Sequence, residues 1–149
     1  MPDLNHITSQ LKRQEDERAR PYWDGTGETA VTVTDKGNLS VGIGRNLSNP
    51  FRSSEIDLML RNDLDEAAAE LDRHLPVWRT LSNPRQNVLL NMCFNMGWPR
   101  LSGFVNMLAA IRGGRQDEVP GHMQASRWFG QVGNRAIELI EQWREDRFV

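Results

Sequence analysis

The chain has one cysteine, Cys93, in 149 residues, so no internal disulfide can form and synthesis in a reducing compartment is expected. It has no apolar run near the roughly 18 residues that a membrane-spanning helix needs. Its first residues, Met1-Pro2-Asp3-Leu4-Asn5-His6, lack a basic segment followed by an apolar one, which excludes a classical secretory signal. There is no excess of positive charge: the formal net charge is −2, which argues against nucleic acid as a partner. His6, His74 and His122 show no metal-ligand spacing and Cys93 stands alone, so no metal site is expected. Gly42-Ile43-Gly44 is two glycines without the rest of a dinucleotide fingerprint. Internal repeats and low-complexity tracts are also missing.

What remains is a folded, mostly helical pattern. Hydrophobic residues make up 38% and charged residues 26%, which suits one globular domain, or a domain with a small lobe. Leu4, Ile7 and Leu11 recur at helical spacing, predicting a helix from Leu4 to about Arg18 that stops before Pro21. Thr29–Thr34 alternates and is rich in β-branched residues, so it reads as a strand. The turn Asp35-Lys36-Gly37-Asn38 leads to a return strand over Leu39–Ile43, and Asn49-Pro50 breaks the chain. Ser54 and Asp57 match a capping box, and Ile56, Leu60, Leu64, Ala67 and Leu71 predict a long helix that could connect two lobes. Asn83-Pro84 opens a helix with the stripe Val88, Leu89, Met92, Cys93 and Met96, ended by Gly97 and Pro99. Further helices are predicted from Ser102 to Gly113-Gly114, with Phe104, Leu108 and Ile111 inward, and over Gln116–Gln124. Another starts near Ser126, and the last covers Asn134 to about Glu145 with Ile137, Ile140 and Trp143 inward. Trp78, Trp98, Trp128 and Trp143 read as core, and Cys93 as a small buried hydrophobe.

Chemistry concentrates between Glu15 and Arg45. Glu15 extends the apolar stripe of the first helix by one turn, and desolvation there would raise its pKa toward what a general acid needs. Asp24 lies in a Gly-rich loop, and Ser40 precedes Gly42-Ile43-Gly44. Two carboxylates on different elements, with a hydroxyl nearby, suit glycosidic cleavage. One carboxyl protonates the leaving oxygen, and the other steadies a water or the cationic ring. Acidic residues are common, and the same pattern also fits solvated surface charges and a turn-forming Asp before Gly25. Tyr22 and Trp23 flank Asp24 and are the better aromatic candidates for contact with a sugar.

This stretch resembles the active-site segment of the T-even phage type lysozymes, glycoside hydrolase family 24. In that family a helix-borne Glu is followed nine positions later by an Asp, then by a hairpin ending in a hydroxyl residue before G-x-G; Glu15, Asp24 and Ser40-Val41-Gly42-Ile43-Gly44 follow that order. Ser40 stands where the family usually has Thr, and about ten extra residues, around Gly25 to Thr34, separate Asp24 from Ser40. The resemblance extends to Asn134-Arg135-Ala136, where the family's Arg lies beside the catalytic Glu. It also extends to Asn95, at a cleft-lining amide, with Gln131 and Asn134 as further polar residues near the cleft. Arg45 stands where the family often has a His paired with an Asp; Asp63 is the matching partner here.

The resemblance implies an α+β, mainly helical, lysozyme-like fold in two lobes. A small β-hairpin lobe would cover about 15–53, a connecting helix about 54–72, and a helical lobe about 73–149, onto which 1–14 folds back. It implies a muramidase, an endolysin that hydrolyses the β-1,4 bond between N-acetylmuramic acid and N-acetylglucosamine with inversion and no cofactor. Glu15 would be the acid; Asp24 and Ser40 would serve the water. The partners would be peptidoglycan glycan strands, with no nucleic acid and no membrane insertion, and the protein would be a monomer. It would be made in the host cytoplasm and carried to the wall by another agent. Two alternatives stay open: a lytic transglycosylase using Glu15 alone, and a peptidoglycan-binding module without turnover.

Overall fold

The computed structural model describes residues 1–15, 40–41, 43 and 45–149, with only the backbone of residues 15, 40 and 41. Among them the protein is mainly helical. Helix α1 spans Leu4–Glu15, with the Asp3 carboxylate accepting from the Asn5 and His6 backbone N–H groups at 3.0 Å each. Ile7 and Leu11 enter the core as expected, whereas Leu4 is 46% exposed. The predicted extension to Arg18, and the strand Thr29–Thr34, lie outside the described residues.

The expected β-hairpin lobe is not supported. Among the described residues, strand is limited to β1, Ser40–Val41, and β2, Arg45–Asn46, paired antiparallel with Ser40 opposite Asn46. A ladder this short does not hold a lobe together. The return strand predicted to reach Ile43 stops at Val41, and Ile43 sits fully exposed in the turn. Arg45 is fastened to the start of the next helix, which draws the chain back at that point.

Helix α2 spans Ser53–His74 and buries Leu64, Ala67 and Leu71, while Ile56 and Leu60 are half-buried. It starts one residue earlier than predicted. The Glu55 carboxylate, not Asp57, accepts from the Arg52 backbone N–H at 2.7 Å and closes the first turn, while Asp57 pairs with Lys12 of α1 at 2.5 Å. A 3₁₀ turn over Pro76–Thr80 buries Trp78, whose indole N–H donates to Asp72 at 2.8 Å. Helix α3, Asn83–Leu101, is the central element and is kinked at Gly97, whose φ of 73° suits glycine. Ser102 ends α3 rather than starting the next helix, and α4 covers Val105–Arg112. Pro120 does not cut the following segment: a 3₁₀ turn over Gln116–Glu118 leads into α5, Val119–Gln124, with the proline in its first turn, where no N–H is needed.

Ser126 caps α6, Arg127–Val132, by accepting from the Phe129 N–H. Gly133, at φ 54°, breaks the chain before α7, Asn134–Glu145. Ile140 and Trp143 of α7 are buried as predicted, but Ile137 is 54% exposed; Ala136 and Leu139 take the inward positions. The apolar core joins α1, α2, α3, α4 and α7 around Trp78, Leu89, Met92, Ile111 and Trp143. Each large side chain fully buried there is worth about 1.5–3 kcal/mol over leaving it in water. No helix among the described residues is long and apolar enough to cross a membrane.

Candidate functional site

Helix α1 is seated by hydrogen bonds rather than by apolar contact alone. At its start, the Asp3 N–H donates to Asn87 Oδ1 at 3.0 Å and Asn87 Nδ2 donates back to the Asp3 carbonyl at 3.1 Å. Two turns on, Gln10 Nε2 donates to Glu138 Oε1 and Gln142 Oε1 of α7, at 3.1 and 3.2 Å. Gln14 Nε2 donates to Glu138 Oε2 at 3.0 Å. Asn91 Nδ2 of α3 donates to both Gln10 Oε1 and Gln14 Oε1, at 3.2 and 3.0 Å. Residue 10 therefore meets 138 and 142, and residue 14 meets 138 alone. The two helices run antiparallel, and continuing that register brings the last residue of α1, Glu15, alongside the first turn of α7, where Arg135 is buried.

Sequence reading singled out Asn95 but missed Asn87, Asn91, Gln10, Gln14 and Gln142. Asn87, Asn91 and Asn95 recur every fourth residue within an apolar run, and that spacing places all three on one face of α3. Each holds a different part of the fold. Asn95 accepts from the Trp128 indole N–H at 3.3 Å. Trp128 itself is core, edge-on to Phe104 at 6.2 Å.

Asn95 also lines the main cavity, of about 870 Å³, together with Gln131, Arg100, Arg127, His122 and Asn106. Asn95 and Gln131 are thus brought together, while Asn134 is exposed at the start of α7 and does not line this cavity. Among the described residues, neither Arg100 nor Arg127 has a carboxylate partner and no carboxylate lines the cavity. Its walls present amides, cations and aromatic edges.

The expected Arg45–Asp63 pair is replaced. Arg45 donates through both terminal nitrogens to Glu55, at 3.2 and 3.0 Å, and to the Pro50 carbonyl at 3.1 Å. Glu55 is nearer because α2 begins beside β2, and the Arg45 side chain meets the first turn before it reaches Asp63. Hydrogen bonds from Arg52, first from its side chain and then from its backbone, with the Arg45 charge adding to them, hold the Glu55 carboxyl down to about 2. Asp63 instead lines a second cavity of about 550 Å³ with Glu66, Glu70, Cys93, Phe94 and Trp98. Burial, and then the charge of Glu70, push the Cys93 thiol up to about 11, which keeps it protonated at neutral pH. His74 stacks flat on Trp98 at 4.8 Å and reaches Glu70 at 3.4 Å.

Of the remaining candidates, Asp24, Tyr22 and Trp23 lie outside the described residues, and the side chains of Glu15 and Ser40 do too. The backbone of Ser40 pairs with Asn46 in the β1–β2 ladder.

No family model matches the chain. It is similar to the pre-baseplate central spike protein Gp5 of Enterobacteria phage T4, with 28% identity over 152 aligned residues. The match covers 89% of this chain and 26% of that protein, so the chain spans about a quarter of the length of the relative.

Proposed function

We propose that the chain is a phage-derived muramidase that hydrolyses the β-1,4 bond between N-acetylmuramic acid and N-acetylglucosamine in peptidoglycan. The observation that supports this reading is the antiparallel run of α1 and α7, which directs the end of α1 that carries Glu15 toward the start of α7, the helix that bears Arg135. In this reading Glu15 gives its proton to the leaving glycosidic oxygen. Arg135 orients the Glu15 carboxyl, although its charge pulls the pKa down against desolvation. Asp24 activates a water on the far face of the sugar, with Ser40 helping to hold it. Inversion then requires carboxyl groups roughly 6.5–9.5 Å apart. Asn95 and Gln131 offer amides to the glycan, and Tyr22 and Trp23 offer aromatic faces. Arg100 and Arg127 suit a polymer that also carries carboxylates.

The similarity to a phage spike protein favours a second setting for the same chemistry. The domain would then act from a phage particle rather than as an endolysin released from the host cytoplasm.

Wild type and Glu15→Gln are incubated with purified peptidoglycan, and turbidity and product mass are followed. The amide keeps the shape but has no proton to give. Clearing to hydrated reducing ends by wild type alone supports the muramidase. Ends bearing a 1,6-anhydro ring would instead mark a lytic transglycosylase. Equal activity in both proteins would remove Glu15 from the chemistry. Binding to sacculi without clearing by either would leave a peptidoglycan-binding module.

A further inference from the structure

The seam between α1, α3 and α7 is made of amides where an apolar seam would be more stable. Gln10, Asn91 and Gln142 are fully buried, and polar groups at such depth cost free energy unless paired. Their hydrogen bonds close a ring. Gln10 and Gln14 both donate to Glu138, and Asn91 donates to both glutamines. Gln142 extends the ring, accepting from Gln10 and donating to the Pro84 carbonyl at 2.8 Å. Arg13 covers the outer side of Glu138 at 3.0 Å. The ring still leaves Asn91 Oδ1 buried without a partner among the described residues, a cost that packing alone gives no reason to bear.

Apolar side chains of similar size would fill this seam in several registers, because dispersion contacts have little direction. Hydrogen bonds at 3.0–3.2 Å in a closed ring permit only one. The ring ends at Gln14, the residue immediately before Glu15.

We propose that Gln14 and Glu138, clamped by Asn91 and Gln10, are positioning residues that fix the axial place and rotation of the last turn of α1, and so the aim of Glu15. This rests on the reading of Glu15 as the acid. Glu138 touches no substrate in this scheme; it acts through α1. A displacement of about 1 Å at a reacting group is enough to cost about 10²-fold in rate.

The ring allows a reversal test. Glu138→Gln alone places an amide N–H against a donor, either Gln14 Nε2 or the Gln10 and Arg13 donors. Gln14→Glu alone sets two carboxylates face to face. In the double variant, residue 138 keeps an oxygen for Gln10 and Arg13 and donates its N–H to the new carboxylate at 14, which still accepts from Asn91. Every hydrogen bond of the ring is then restored with one direction reversed.

The four proteins are compared at their own pH optima for kcat and KM. Hydrogen exchange of the α1 backbone amides, which needs no turnover, is measured in parallel. Each single variant is expected to lower kcat about tenfold or more, with KM within about twofold, and to speed exchange in the last turn of α1. The double variant is expected to recover both. Unchanged kcat per folded molecule and unchanged exchange in the single variants would overturn the proposal. So would a double variant that folds and restores the exchange pattern but not kcat. If wild type shows no turnover while exchange follows the expected pattern, the muramidase reading fails and the clamp on α1 stands.

Discussion

Two seams meet on α3 and are built differently. On its apolar side α3 contributes Leu89, Met92 and Cys93 to one core cluster with Leu64, Leu71 and Ile111, and the carboxylates Asp63, Glu66 and Glu70 of α2 come in only at the cavity beside Cys93. Toward α1 and α7 it presents Asn87 to the backbone of Asp3 and Asn91 to Gln10 and Gln14. The apolar seam supplies stability through area removed from water, and its energy changes little with small sliding. The amide seam contributes less net stability, since each hydrogen bond replaces one made to water, but it specifies a single register. It stands where the candidate acid must be aimed.

The largest expected effect lies in the apolar core rather than in either seam. Trp143 is fully buried and its indole donates to the Gln116 carbonyl at 2.9 Å. Trp143→Ala is expected to cost about 3–5 kcal/mol, read from the urea midpoint. Next comes the amide seam. Asn91→Leu strands the buried Gln10 oxygen and is expected to cost about 1–3 kcal/mol. Replacing Gln10, Asn91 and Gln142 together by Leu removes both sides of the Asn91–Gln10 and Gln10–Gln142 bonds but takes a partner from Gln14, Glu138 and the Pro84 carbonyl, so it is expected to cost at least as much as the single change and to slow turnover. A triple variant as active as wild type would abolish the distinction between the seams.

Smaller effects sharpen the picture at the cavity. Arg100→Ala with Arg127→Ala is expected to raise KM on peptidoglycan several-fold at low salt. The difference should shrink as salt is added, since exposed charges are screened. The smallest effect concerns Glu55. Its folded pKa of about 2 lies below the ordinary 4.5, so its contribution to stability is present above 4.5 and is lost as pH falls toward 2. The gap in melting temperature between wild type and Glu55→Gln should therefore be wider at neutral pH than near pH 2, and modest because the group is exposed.

Much of the helical framework was legible in neighbouring residues. Gly113-Gly114 and the Ser126 cap stop and start helices where the sequence indicates, because backbone freedom and local capping depend on residues a few positions apart, whereas Gly97 and Pro99, expected to end α3, only kink it and the helix runs on to Leu101. Buried stripes were legible for the same reason, through periodicity alone. The errors fall where the partner is distant. Leu4 and Ile137 match the helical period but stay exposed, since periodicity does not say which residues of a stripe a neighbouring helix covers. Arg45 has two acidic candidates on α2, and only the start of that helix beside β2 selects Glu55 over Asp63.

The amide seam shows the limit most clearly. The sequence by itself determined that asparagines recur at every fourth position of α3 and that Glu15 closes an amphipathic helix. It did not determine that Asn91 meets Gln10 and Gln14, 81 and 77 positions away, or that Gln14 meets Glu138, 124 positions away. Those pairings depend on which helical faces come together, and a hydrogen bond needs donor and acceptor held to within a few tenths of an ångström of about 2.9 Å. Periodicity fixes a face; only packing of the whole chain brings the two ends of such a bond into range.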